Sequence, residues 1–126
     1  MDIKEELEQG TNEQAALFSA LADPTRLKLV KLLCRQRSPH ALCVNAMASL
    51  LGVSQPAISQ HLRVLKTIGL VRSERRGYHI HYFINREVLE KCLKLTATAL
   101  NMEKPSESKS CQEYCSKERE HNVSPE

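Results

Sequence analysis

A mainly α-helical domain carrying one small β-hairpin follows from three features of the 126-residue chain. Apolar residues recur three and four apart in five stretches between residues 12 and 100, the spacing that places them on one face of a helix. From Val71 to Ile84 the period changes to two around Arg76-Gly77, as a hairpin requires. Asp23-Pro24, Gly52 and Gly69 punctuate the stretches.

The elements can be justified in order. Thr11-Asn-Glu-Gln14 has the spacing of a capping box and opens a helix with Ala16, Leu17, Ala20 and Leu21 facing inward. Asp23 caps the next helix, Pro24 takes its first position, and Leu27, Leu29, Val30 and Leu33 are its candidate core. That helix runs out at the polar stretch Arg35-Gln-Arg-Ser-Pro39. A short helix from Val44 to Leu51 turns Met47, Leu50 and Leu51 inward, and Gly52 supplies a tight turn. Ser54 caps the helix that follows, with Pro56 in its first turn and Ile58, Leu62, Leu65 and Ile68 on its greasy face. In the hairpin, Ile80, Tyr82 and Ile84 would pack on the core, leaving His79, His81 and Phe83 on the other face. The last helix carries Leu89, Leu93, Thr96 and Leu100 as one stripe.

Length and composition, 41% hydrophobic and 26% charged, fit one ordinary globular domain. It is expected over residues 12–102, between an acidic extension (1–11) and a polar, cysteine-containing tail (103–126). No apolar run is long enough to cross a bilayer, so no membrane partner is expected. The acidic start and the odd count of five cysteines argue against secretion and for reduced, cytoplasmic thiols. No Ser/His/Asp arrangement or phosphate-binding glycine loop stands out, so an enzyme is not expected.

Charge is distributed unevenly. Residues 1–13 set five acids against Lys4, whereas residues 54–86 set Arg63, Lys66, Arg72, Arg75, Arg76 and Arg86 against Glu74. That basic stretch surrounds the helix after Ser54, whose polar face carries Gln55, Ser59, Gln60 and Arg63, side chains suited to base edges and phosphates. A helix for reading duplex DNA is the expectation. Gln55, Ser59 and Gln60 are the candidates for bases. Ser54, Arg63, Arg75 and Arg76 are the candidates for phosphates, with Pro56 in the contacting first turn. His61 borders the buried face, and both packing and reading are open to it.

Three stretches together resemble the ArsR/SmtB family of winged helix-turn-helix repressors: Leu21-Ala-Asp-Pro-Thr-Arg-Leu27, Leu51-Gly-Val-Ser-Gln-Pro-Ala-Ile-Ser-Gln-His-Leu62, and Gly69-Leu-Val-Arg72 with Arg76-Gly-Tyr-His-Ile-His-Tyr82. The resemblance covers about residues 12–100. It implies a cytoplasmic homodimer paired through its first and last helices, each protomer placing its recognition helix in the major groove and its wing against the flanking backbone. Two-fold symmetry then implies an inverted-repeat operator. The alternatives are a winged protein-interaction module without DNA binding, and a repressor that responds to thiol oxidation.

Members of that family usually release DNA when an effector binds, often a thiophilic metal or metalloid. The arsenic-type motif needs two cysteines flanking one residue, and here Asn45 stands where the thiol after Cys43 should be. At the zinc-type positions of the last helix stand Arg86, Val88, Ala99 and Met102, none a good zinc ligand. What remains is Cys43 and a tail pair. Ser110-Cys-Gln-Glu113 has capping-box spacing, which would put Cys111 and Cys115 on one face of a short helix. Cys43, Cys111 and Cys115 are therefore the candidate thiolates for As(III) or a similar soft ion. Packing of Cys43 as a small hydrophobe and oxidation of the tail pair are the competing readings.

Overall fold

The computed structural model describes residues 2–36, 41–101 and 110–115. The elements run α1 (Ile3–Glu8), α2 (Thr11–Leu21), α3 (Pro24–Cys34), β1 (Leu42–Cys43), α4 (Val44–Leu51), α5 (Gln55–Thr67), β2 (Val71–Arg76), β3 (His79–Ile84) and α6 (Arg86–Ala99). The mainly helical architecture with a hairpin is as the sequence predicts, and α4, Gly52 and α5 fall where the punctuation places them.

Asp23, Ser54 and Asn85 act as caps: their side chains accept from the N–H groups of Arg26 (3.0 Å), Ala57 (3.3 Å) and Val88 (3.4 Å). Each satisfies one of the amide donors that a helix leaves orphaned at its N-terminus. Gly52 sits at φ 65°, where a side chain would be strained, and the Val53 N–H closes the turn onto the Ala48 carbonyl. The core joins Leu29, Val30 and Leu33 of α3, Met47 and Ala48 of α4, and Ile58, Leu62 and Leu65 of α5 to Leu70, Val71 and Ile84. At the other end of the domain, Arg86 donates to the Cys34 and Gln36 carbonyls, tying the start of α6 to the end of α3.

Several expectations need correction. The sheet has three strands, order β1-β3-β2, because Leu42 and Cys43 pair antiparallel with Tyr82 and His81. The capping box at Thr11 does not form: Gly10 is the N-cap, and the Thr11 hydroxyl donates to the Leu7 carbonyl. Gln14 reaches across to the Leu95 carbonyl at 3.0 Å instead, so it is buried between α2 and α6. Ala16 faces outward, Leu27 is exposed, and Leu50 is 63% exposed. In α4 the inward arc is Val44, Met47, Ala48 and Leu51, which leaves Leu50 off its edge. Ile80 is half exposed, because it pairs with Arg75 near the hairpin tip, beyond the last residue that β1 covers. His81 and Phe83 are half-buried rather than open to solvent.

The stripe on α6 divides. Leu89 and Cys92 pack against the core, while Leu93 and Leu100 are 61% and 68% exposed. No residue of this 14-residue amphipathic helix is fully buried. Phe18 on α2 is exposed as well.

Candidate nucleic-acid interface

The helix-turn-helix presents α5 with its apolar arc fixed in the core and its polar arc outward. Ile58, Leu62 and Leu65 are buried; Gln55, Pro56, Ser59, Gln60 and Arg63 are all exposed. The Ser54 Oγ is occupied as the cap acceptor, which leaves its hydroxyl proton free to donate. Beside α5 the wing forms a polar cleft of about 440 Å³, lined by Ser59, Leu62, Arg63, Lys66, Thr67 and Tyr82. Lys66 spans toward the wing, its Nζ 3.0 Å from the Ser73 Oγ. On the wing Arg75 is exposed, and Arg76 pairs with Glu74 at 2.9 Å on the solvent side. An exposed pair of this kind adds little stability, so a phosphate can compete for the guanidinium.

The expected residues of α5 thus share one exposed arc, and Arg75 and Arg76, consecutive in β2, point to opposite faces of the wing, whereas His61 is half-buried. Its ring has Nδ1 3.4 Å from the Arg26 Nη1 and Nε2 3.8 Å from the Asp23 Oδ2. The backbone N–H of Arg26, bonded to the Asp23 carboxylate, holds that acid below the usual carboxylate range, against the opposing effect of desolvation. The cap's contribution is accordingly complete at neutral pH and fades as pH falls through the lowered folded-state value.

Residues that sequence reasoning missed are Lys66, Tyr82 and Tyr78. Lys66 was legible as charge but not as a wall of the cleft, which only the fold of the wing against α5 creates. Tyr78 follows Gly77 in the turn and is 97% exposed between the wing strands.

Among the cysteines, Cys111 and Cys115 lie on one face of a helical turn, their sulfurs 3.9 Å apart, with Ser110 accepting from the Glu113 N–H. Cys43 is half-buried at the N-cap of α4, opposite His81 on β3. Among the described residues no three His, Cys, Asp or Glu side chains gather in a metal-holding group, so Cys43 is not brought to the tail pair. Burial pushes the Cys34 and Cys92 thiols up, with Arg86 and Lys91 respectively opposing it. His40 and His121 fall outside the described residues. Among those described, no helix is long and apolar enough to cross a membrane.

Comparison with known proteins gives this arrangement its relatives. The sequence profile described as "Bacterial regulatory protein, arsR family" matches residues 23–73, from the α3 cap into the first wing strand. A "Transcriptional repressor SmtB homolog" of Synechocystis is 43% identical over 70 residues, covering 56% of this chain and 50% of that protein. The chain thus spans about half the length of that relative. An "Uncharacterized HTH-type transcriptional regulator" of Methanocaldococcus jannaschii is 37% identical over 81 residues, 64% of this chain and 88% of that one. The crystal structure of a "Possible transcriptional regulator for arsenical resistance" superposes with a TM-score of 0.56 at 34% identity, covering 64% of this chain and 80% of the other. With its helix-turn-helix, wing and matching relatives, the chain belongs to the arsR family of bacterial regulatory proteins.

Proposed function

We propose that two copies of this chain bind duplex DNA at an inverted-repeat operator and repress transcription there, in the cytoplasm. The observation that carries this is the outward arc of α5, where Gln55, Ser59, Gln60 and Arg63 stand exposed beside a cleft bordered by Lys66. Gln55, Ser59 and Gln60 contact base edges; Ser54, Arg63, Arg75 and Arg76 hold phosphates. Support for the homodimer is the uncovered apolar surface of Phe18, Leu93 and Leu100 on α2 and α6, which a second copy would cover.

Binding to the protein's own upstream DNA tests this. Gln60→Ala and Arg63→Ala should each weaken the specific complex by about 10- to 100-fold while leaving the oligomeric state intact. If the unaltered protein binds no duplex of any sequence at low salt, the fold serves protein contacts instead.

The effector reading rests on the thiols. A soft ion such as As(III) would be held by Cys111 and Cys115, with Cys43 as the third donor once the tail folds back. The 3.9 Å approach of the two sulfurs favours chelation, and thiol donors suit soft ions. Cys111→Ser with Cys115→Ser should preserve operator binding and abolish dissociation on adding As(III). Unchanged release from that double variant would place the sensor elsewhere, and release by a mild oxidant alone would favour thiol oxidation.

A further inference from the structure

Arg26 is bonded to three helices at once. Its Nε donates to the Ala20 carbonyl at 2.6 Å and its Nη2 reaches the Ser19 carbonyl at 3.4 Å, closing the end of α2. Its backbone N–H bonds the Asp23 cap of α3. Its Nη1 meets the His61 ring of α5. An arginine only donates, so His61 Nδ1 must accept, which leaves the ring proton of the neutral imidazole on Nε2. That nitrogen faces the Asp23 carboxylate at 3.8 Å, a long approach but one of the right sign. Both ring nitrogens thus have an assigned role within the protein, and the side chain is 21% exposed.

We propose that His61 is a positioning residue: through Arg26 and Asp23 it fixes the rotation of α5 about its own axis against the α2–α3 corner, and it does not itself read DNA. The proposal rests on α5 being the DNA-reading helix and deepens that reading. Apolar contacts from Ile58, Leu62 and Leu65 hold α5 down, but such contacts are non-directional and tolerate rolling. Hydrogen bonds do not. With side chains about 5–6 Å from the helix axis, a roll of about 20° moves a tip by about 2 Å. That displacement exceeds what a base-edge hydrogen bond accepts. Gln60 and His61 are adjacent and point about 100° apart, so one presents the reading face while the other anchors it.

The test uses the full chain and a duplex from its own upstream region, beside an unrelated duplex. His61→Ala and Arg26→Ala should each weaken specific binding by about tenfold. The double variant should cost no more than the larger single one, since the two act through one contact. Non-specific binding and its salt slope should stay unchanged. His61→Asn keeps an acceptor near the place of Nδ1 and should restore most of the affinity, whereas His61→Leu should not. Should Arg26→Ala fail to fold, the Asn and Leu pair still decides. Additive losses, a reduced salt slope, or lost discrimination at one base pair in His61→Ala would each overturn the proposal. The ¹⁵N shifts of the His61 ring provide a readout without DNA. The Nε2–H tautomer should be seen even if no duplex binds, and an Nδ1–H tautomer would break the joint irrespective of what α5 contacts.

Discussion

Raising the salt from 50 to 200 mM should weaken the protein's complex with duplex DNA by roughly 10³- to 10⁵-fold, the loss expected if the proposed dimer neutralises roughly 6–10 phosphates. The count takes two copies, as proposed. Each copy carries Arg63 and Lys66 on α5 and Arg72, Arg75 and Arg76 on the wing; four of these are exposed and Arg76 is half so. Their local partners are weak competitors: Lys66 bonds a serine hydroxyl, and Arg76 pairs with a carboxylate at the surface. A phosphate offers a full charge and several acceptor oxygens, so the exchange favours DNA at low salt. The acidic start of the chain is set apart on α1 and the first turn of α2. Plotting log affinity against log salt should give a steep negative slope, and Arg75→Ala should reduce it by about one unit per copy. A slope near zero would mean that the basic stretch does not face the duplex.

The helix-turn-helix was legible because its signals are local. Gly52 marks a left-handed turn, Ser54 a cap and Pro56 a first turn, and all three stand in those roles. What was not legible depends on partners distant in the chain. β1 has two residues, too few to show any period, and exists because Tyr82 and His81 lie alongside. Gln14 has the right spacing for a capping box, but the Leu95 carbonyl on α6 captures it. Arg26 reads as one more basic residue until the end of α2 and the middle of α5 arrive beside it. Lys66 and Tyr82 line one cleft only after the wing has folded back toward α5. The candidate interface could thus be read on α5 itself, where side chains act singly, and could not where it is built between elements.

Leu27 and Leu50 illustrate a different failure, one of rotation within a correctly placed helix. At about 100° per residue, each lies about 110° from the centre of its helix's buried arc, which is why both are exposed while Leu29 and Met47 are fully buried. Hydrophobicity marks a leucine as a candidate, and the arc decides. The same geometry explains why Leu93 of α6 looks outward while Leu89 and Cys92 face the core; Leu100, only about 20° from Leu89 on the wheel, is exposed because it lies at the C-cap, beyond the end of the helix.

That distinction sets up a large effect on stability. Leu65→Ala should cost about 2–5 kcal/mol, because Leu65 is fully buried on α5, among core residues drawn from α3, α4 and the sheet. Its neighbours include α3, capped at its start by Asp23, and a hairpin registered over six residue pairs, so they cannot collapse freely into the space left behind. Against a typical total of about 5–15 kcal/mol, such a loss leaves a domain with little margin. Leu50→Ala removes the same atoms from a side chain that is mostly in water and should cost within about 0.5 kcal/mol. Denaturant unfolding at one fixed protein concentration measures both, since the proposed dimer would make apparent stability depend on concentration. The midpoint should fall sharply for Leu65→Ala with the slope unchanged, and barely move for Leu50→Ala. Equal losses from the two leucines would mean that α4 is rotated from the orientation described. A small loss from Leu65→Ala would mean that α5 does not form the centre of the core, and the outward arc that carries Gln60 and Arg63 would lose its support.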